Sequence, residues 1–589
     1  MTGAWRVTEP AGPLPRPFSN MRPALVPWLT ALTLAAANAG CAQTAGPGPA
    51  PVAATIAVHA DRPTGPLRPI WRFFGADEPN YATMKDGRRL LADLGRLGKP
   101  QGSQVYFRTH NLLTSGDGTP ALKWGSTNVY TEDAAGRPVY DWTIVDRIFD
   151  TYLARGVKPY VQIGFMPQAL STRPEPYQHE WRPGSPYGDI FTGWAYPPKD
   201  YAKWQELVYQ WTLHCVQRYG RAEVESWYWE VWNEANIPYW KGTPEEFRKT
   251  HDHAIAGVRR ALPSARVGGP DTAGDGGQWM RDFIEHSLRG TNHATGAKGS
   301  PLDFIAFHAK GNPRWVDGHI RMGIADQLGT IDNGFRIVAS YPETKRLPII
   351  IGESDPEGCA ACQGPANSYR NGTVYSSYTA ASFARKHDLA DKHGVNLEGA
   401  LTWAFTFEDQ PYFAGFRQLA SNGVPLAVLN VFRMMSRMEG DRLAARSSGQ
   451  VPLDVILKNG VRAAPDIGVL AARAGRRVTV MVWHYHDDDV PGPAAEVAFS
   501  LAGLPLDTRR VTLQHHRVDE FHSNAYGAWQ RMGSPLAPNG PQYRQLQAAS
   551  ELAALPGAPA ELAVADGRTE LRFVLPRQGV SLLTFDALP

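Results

Sequence analysis

Between residues 70 and 435 the chain keeps returning to one pattern: a short apolar strand, then a helical or looping connection. The strands read as Arg72–Gly75, Val105–Thr109, Tyr160–Phe165, Trp227–Trp232, Arg266–Gly269, Phe304–His308, Ile349–Gly352 and Leu401–Phe405. Helical periodicity marks Met84–Leu97, Asp141–Ala154, Tyr201–Tyr219, Pro244–Ala261 and Thr373–His393 between them. Strands alternating with helices imply a parallel sheet, because parallel neighbours need a long crossover. Eight such units predict a closed (β/α)8 TIM barrel. An open doubly wound sheet is the competing arrangement. No glycine-rich phosphate loop follows the first strand, so nothing favours its dinucleotide-binding form.

A chain of 589 residues exceeds what one core organises, so more than one domain is expected. From about Ala444 short alternating strands replace the rhythm, among them Arg477–Trp483, Glu496–Leu501, Arg510–His515 and Leu571–Leu575. They predict a C-terminal β-sandwich over 441–589, which Thr55–His59 would join. Residues 43–69 then form a linker and that strand, and 70–440 form the barrel. Residues 1–42 read as an N-terminal extension and signal peptide, with Met21-Arg22 opening a mildly apolar run. Its end, Asn38-Ala-Gly-Cys41, resembles a bacterial lipobox. Export to the periplasm or beyond is expected, with membrane contact only through a lipidated Cys41 and plain cleavage nearby as the alternative. The net charge of +3 gives no electrostatic reason to expect nucleic acid as a partner.

In a barrel of this kind, side chains that do chemistry sit just past the C-terminal ends of the strands. Those ends are rich here. The first gives Asp77-Glu78, the second His110, the third Phe165 and the fourth Asn233-Glu234. The sixth gives His308, the seventh Glu353, and the eighth Trp403 followed by Glu408-Asp409. A lone glutamate at a strand end is ordinarily a solvated or ion-paired residue. Glu234 and Glu353, after strands four and seven, instead face each other across the mouth. Two carboxylates flanking one bond are the minimum equipment for glycoside hydrolysis: one protonates the leaving oxygen, and the other attacks the anomeric carbon or activates water.

Several stretches carry a resemblance. Val105-Tyr-Phe-Arg-Thr-His110, Pro159–Pro167, Glu230-Val-Trp-Asn-Glu-Ala-Asn236, Phe307-His308, Ile351-Gly-Glu-Ser354 and Pro411–Phe416 resemble glycoside hydrolase family 39, in particular its bacterial β-xylosidases. His522–Trp529 and Met532–Pro535 add to it outside the barrel. The resemblance implies a retaining enzyme on an oligosaccharide, with no cofactor; exo action is a further expectation, for which the loops Ser171–Pro198 and Asp355–Ser368 are long enough to close one end of a pocket. It implies Glu234 as acid/base, Glu353 as nucleophile and Asn233 on the sugar 2-hydroxyl. His308 would hydrogen-bond near the nucleophile or the sugar, His110 and Glu408 would bind ring hydroxyls, and Trp403 and Phe165 would form walls. The family also acts on iduronic acid, arabinose-containing side chains and exopolysaccharide, so the sugar does not follow from membership.

Cys359-Ala-Ala-Cys362 just after Glu353 reads as a local disulfide, since no second pair exists to complete a zinc site. His484, His486 and Asp487–Asp489 match no metal-ligand spacing and are expected to make structural hydrogen bonds. His251-Asp-His253 reads as surface or packing residues. The rival of another class is a non-catalytic carbohydrate-binding protein, which loss of either carboxylate would have favoured.

Overall fold

The computed structural model describes residues 51–588, so the expected signal segment and Cys41 lie outside the described residues. Eight parallel strands form the barrel: β1 (Phe73–Ala76), β2 (Val105–Thr109), β3 (Val157–Ile163), β4 (Tyr228–Val231), β5 (Arg266–Thr272), β6 (Phe304–His308), β7 (Pro348–Glu353) and β8 (Asn396–Ala400). They pair in chain order. The ring closes where Gly75 N donates to Thr402 O and Thr402 N donates to Phe73 O, each at 3.0 Å.

Of the eight expected barrel strands, the eighth is the one that lies elsewhere. It lies five residues earlier than Leu401–Phe405, over the polar-looking Asn-Leu-Glu-Gly-Ala. The reason is steric: a side chain at Gly399 would meet the Phe73 ring at 2.4 Å, so the closing strand needs a glycine where it crosses the first. Leu401 and Thr402 then continue the ladder as isolated hydrogen bonds.

Inside the barrel, side chains alternate and stack in layers. Phe73, Tyr106, Tyr160, Tyr228 and Phe304 form an aromatic floor, with ring centroids 5.0 to 6.3 Å apart. These rings bury large apolar area and seal the N-terminal end. Arg108, Glu230 and Asp271 lie above them toward the mouth, while Arg72, Arg266 and Glu398 meet the rings from the N-terminal end.

Strands from the C-terminal third and Val52–Pro66 join into one nine-stranded mixed sheet. Val52–Pro66 lies within it, antiparallel to Asp441–Ser447 and parallel to Ala495–Ala502. The sheet folds over its own apolar face, so that Phe499 and Phe585 stack at 5.4 Å across the interior. Helical segments persist here as well: Asn539 and Gln542 cap Gly540–Ala549 reciprocally. The helix Thr373–His393 lies between barrel and sheet and is buried on nearly every side. Its Arg385 reaches Asp466 of the sheet at 3.0 Å, and Ser377 donates to Gln578 at 2.6 Å. Among the described residues no helix is long and apolar enough to cross a membrane.

Candidate active site

The period-2 alternation of β2 points Tyr106, Arg108 and then His110 inward, from floor to mouth. On β4 the same parity gives Tyr228 and Glu230. Beyond it the chain turns sharply, with Trp232 and Glu234 in the left-handed region at φ 71° and 45°. Non-glycine residues seldom hold that conformation unless neighbours fix it. Here Glu234 N donates to Asp271 O at 2.9 Å. Arg108, fully buried, donates to Glu230 at 2.8 Å and to Asn233 Oδ1 at 3.1 Å, and it pairs with Asp271. One guanidinium therefore organises the ends of β4 and β5. Burial, and then the charge of Asp271, push the Glu230 carboxyl up to about 8. Asn233 is buried, and its Nδ2 has no hydrogen-bond partner among the described residues.

Glu353 closes β7. Lys310 Nζ lies 2.6 Å from its Oε2, while His110 Nε2, His308 Nδ1 and Arg108 Nη1 stand 3.7, 3.8 and 3.9 Å from Oε1. Burial by itself would raise this carboxyl. Lys310, His308, His110 and Arg108 outweigh it and hold Glu353 down at about 2. It is an anion at any ordinary pH.

His308, fully buried, links both carboxylates. Its Nδ1 lies 2.8 Å from Glu234 Oε1, and its Nε2 lies 2.9 Å from Asp271 Oδ2. Burial works against a charged ring, but Asp271 and Glu353 prevail and lift His308 to about 10. Gly352 makes room for this contact, since a side chain there would strike Asp271 Oδ1 at 2.0 Å. Because one nitrogen touches both, Glu234 Oε1 and Glu353 Oε1 are no farther apart than 2.8 Å and 3.8 Å laid end to end.

A pocket of about 330 Å³ opens above the pair. Trp403 forms one wall, its ring 4.4 Å from that of His110. Asp77 and Lys123 lie at its edge as a buried ion pair. Burial opposes both charges, yet Lys123 and His110 draw the Asp77 carboxyl well below the usual range. Tyr187 and Tyr239 join hydroxyl to hydroxyl at 2.8 Å on another side. Gly358 and Cys359 complete the rim, and Cys359 and Cys362 form a disulfide. Arg370 braces that loop by donating to Cys362 O at 2.8 Å and Cys359 O at 3.0 Å.

Glu234, Glu353, Asn233, His110, His308 and Trp403 thus converge at the mouth. Two expected residues do not. Glu408 accepts from the backbone N–H of Asp86 at 2.5 Å and of Gly87 at 3.1 Å, capping the helix Lys85–Leu97. Its carboxylate is used by the orphan donors of a helix N-terminus, which attract an anion. Asp409 beside it is exposed. Phe165 does not line the pocket but packs behind it, 4.3 Å from Trp194 and 5.8 Å from Tyr239, where aromatic partners on several sides claim its ring.

Sequence reasoning passed over Arg108, Lys310 and Lys123. Parity carried a signal for two of them: Arg108 is two residues before His110, and Lys310 two after His308. Lys123 comes from an irregular loop with no periodicity to betray it.

Comparison with known proteins adds identity to geometry. The model of glycosyl hydrolases family 39 matches residues 54–565. A β-xylosidase from Caldicellulosiruptor saccharolyticus is 26% identical over 510 residues, 84% of this chain and 91% of its own length. The α-L-iduronidase of Homo sapiens is 26% identical over 586 residues, 92% of this chain and 81% of its own. A crystal structure of a monomeric β-xylosidase from Caulobacter crescentus CB15 matches with TM-score 0.70 at 23% identity, covering 91% of this chain and all of that one, which shows a shared fold.

Proposed function

This chain belongs to glycosyl hydrolases family 39 and is a glycoside hydrolase; from that premise we propose an exo-acting β-D-xylosidase that works by double displacement. Glu353 attacks the anomeric carbon while Glu234 gives its proton to the leaving oxygen. Glu234 then takes a proton from water as that water displaces Glu353 from the glycosyl-enzyme. The observation that carries this reading is the shared histidine. Retaining pairs stand about 5–5.5 Å apart and inverting pairs about 6.5–9.5 Å, and the ceiling set by His308 reaches only the lower edge of the second range. The lasting negative charge on Glu353 suits a nucleophile. Asn233 Nδ2 is a donor left for the sugar 2-hydroxyl, a bond that strengthens as the transition state forms. Asp77 and Lys123 take the role first given to Glu408 and hold hydroxyls at the far end of the sugar.

Exo action is supported by the two long loops, 171–198 and 355–368, which supply Tyr187, Gly358 and Cys359 to the pocket wall. Xylose is supported by the β-xylosidase relatives. Xylo-oligosaccharides from plant xylan are then the natural substrates. The Cys359–Cys362 disulfide supports work outside the cytoplasm.

Lys310 favours one second reading. A cation at the pocket wall beside Glu353 suits a sugar bearing a carboxylate, and iduronidases are among the relatives. Hydrolysis of nitrophenyl β-D-xyloside against an α-L-iduronide, with the first-formed anomer read by NMR, decides between them. Xyloside turnover with retained configuration is expected. Iduronide turnover alone would move the assignment to uronic acids, and an inverted product would overturn the double displacement.

A further inference from the structure

On the outer helices, Asp252 of Pro244–Ala261, His286 of Gly277–Arg289 and His293 of the following loop come together. Each offers one donor atom, and the three atoms lie within 4.8 Å of one another. We propose that this cluster binds one divalent ion of the zinc class and so clasps the loop after Arg289 to both helices.

The donor set argues for the ion. Two imidazoles and a carboxylate suit zinc, with bonds of about 2.0–2.2 Å, whereas calcium takes six to eight oxygens. Ligands of a tetrahedral ion at those bond lengths stand roughly 3.3–3.5 Å from one another. His286 Nε2 is 2.9 Å from Asp252 Oδ2, so a few tenths of an ångström of opening admits the ion. The His286 and His293 rings lie nearly parallel, 5.5 Å apart, and His293 is exposed, which gives an entry path and room for water as fourth ligand.

A separate observation points the same way. Asp252 is completely buried, yet its Oδ1 has no hydrogen-bond partner among the described residues. The adjacent His251, expected from sequence to be surface or packing, is also wholly buried. Among the described residues neither of its ring nitrogens has a hydrogen-bond partner, and Nδ1 stands 3.8 Å from that oxygen. A buried carboxylate oxygen left unpaired costs stability unless something charged meets it. The other oxygen also accepts from His293 N at 2.8 Å, which fixes the orientation of the carboxylate, as groups around a metal ligand commonly do.

Isothermal titration of the chelator-stripped, untagged protein with zinc chloride alone tests this. Expected are one ion per chain and a higher Tm with zinc present. His293→Ala, at an exposed position that does not threaten folding, should weaken binding at least tenfold, and Asp252→Asn should abolish it. No zinc binding by the native chain at submillimolar concentration would overturn the proposal. So would unchanged affinity in His293→Ala, or calcium binding as tightly as zinc.

Discussion

The two glutamates of the pocket share a histidine but live in opposite surroundings. Glu353 is buried among Lys310, His308, His110 and Arg108, and its charge is locked in. Among the described residues the Glu234 carboxylate has one hydrogen-bond partner, His308, and the side chain keeps 15% of its surface open toward the pocket. The difference matches two tasks. A nucleophile has to be an anion before substrate arrives, so the cations Lys310, His308 and Arg108 stand around it. An acid/base has to pass a proton both ways, so it needs an open side. Similar chemistry at two strand ends thus becomes two roles through surroundings alone.

Changes at these positions should separate the two roles. Glu353→Ala should remove the nucleophile and cost on the order of 10⁴–10⁶-fold in kcat, measured on nitrophenyl β-D-xyloside. Retention of full activity would dissolve the distinction. Glu234→Gln should cost roughly 10²–10⁴-fold on xylobiose but far less in the first step with a nitrophenyl leaving group, which needs no proton. Equal losses on both substrates would contradict its role as acid. Lys310→Met should move the acidic limb of kcat/KM upward by roughly one to three units, since the foremost of the groups that together outweigh burial at Glu353 is gone. The sign follows from a depressed carboxyl: activity is kept down to low pH in the native enzyme and is lost earlier on acidification in the variant. A pH profile superposable on the native one would show that Lys310 does not set the charge. Least of all, Glu408→Gln should leave KM unchanged while lowering stability by about 0.5–2 kcal/mol, read as Tm, as expected for a weakened helix cap. A raised KM with unchanged Tm would return Glu408 to the pocket.

Most of the barrel was legible because its strands are local in the sequence. Seven of the eight apolar runs fall where the strands are, and Tyr201–Tyr219, Pro244–Ala261 and Thr373–His393 run as their periodicity predicts. The eighth run failed because the closing strand is chosen by its fit to the first: Gly399 is there for the Phe73 ring, 326 residues earlier in the chain. Glu408 misled for a related reason. A carboxylate past a strand end looks the same in sequence whether it faces a sugar or a helix N-terminus. Within the C-terminal region, alternation revealed strands but not that they make one sheet, with Val52–Pro66 held between partners from the far end of the chain.

By itself the sequence determined the eight-fold alternation, the two glutamates at opposed strand ends and the polar residues gathered at the mouth, because periodicity and strand parity are properties of neighbours along the chain. Tertiary structure alone decided which glutamate became a permanent anion and which stayed open. That choice depends on Lys310, Arg108, His110 and Asp271, which meet only when three different strands take their places in the ring, and electrostatic influence follows distance through space rather than along the backbone.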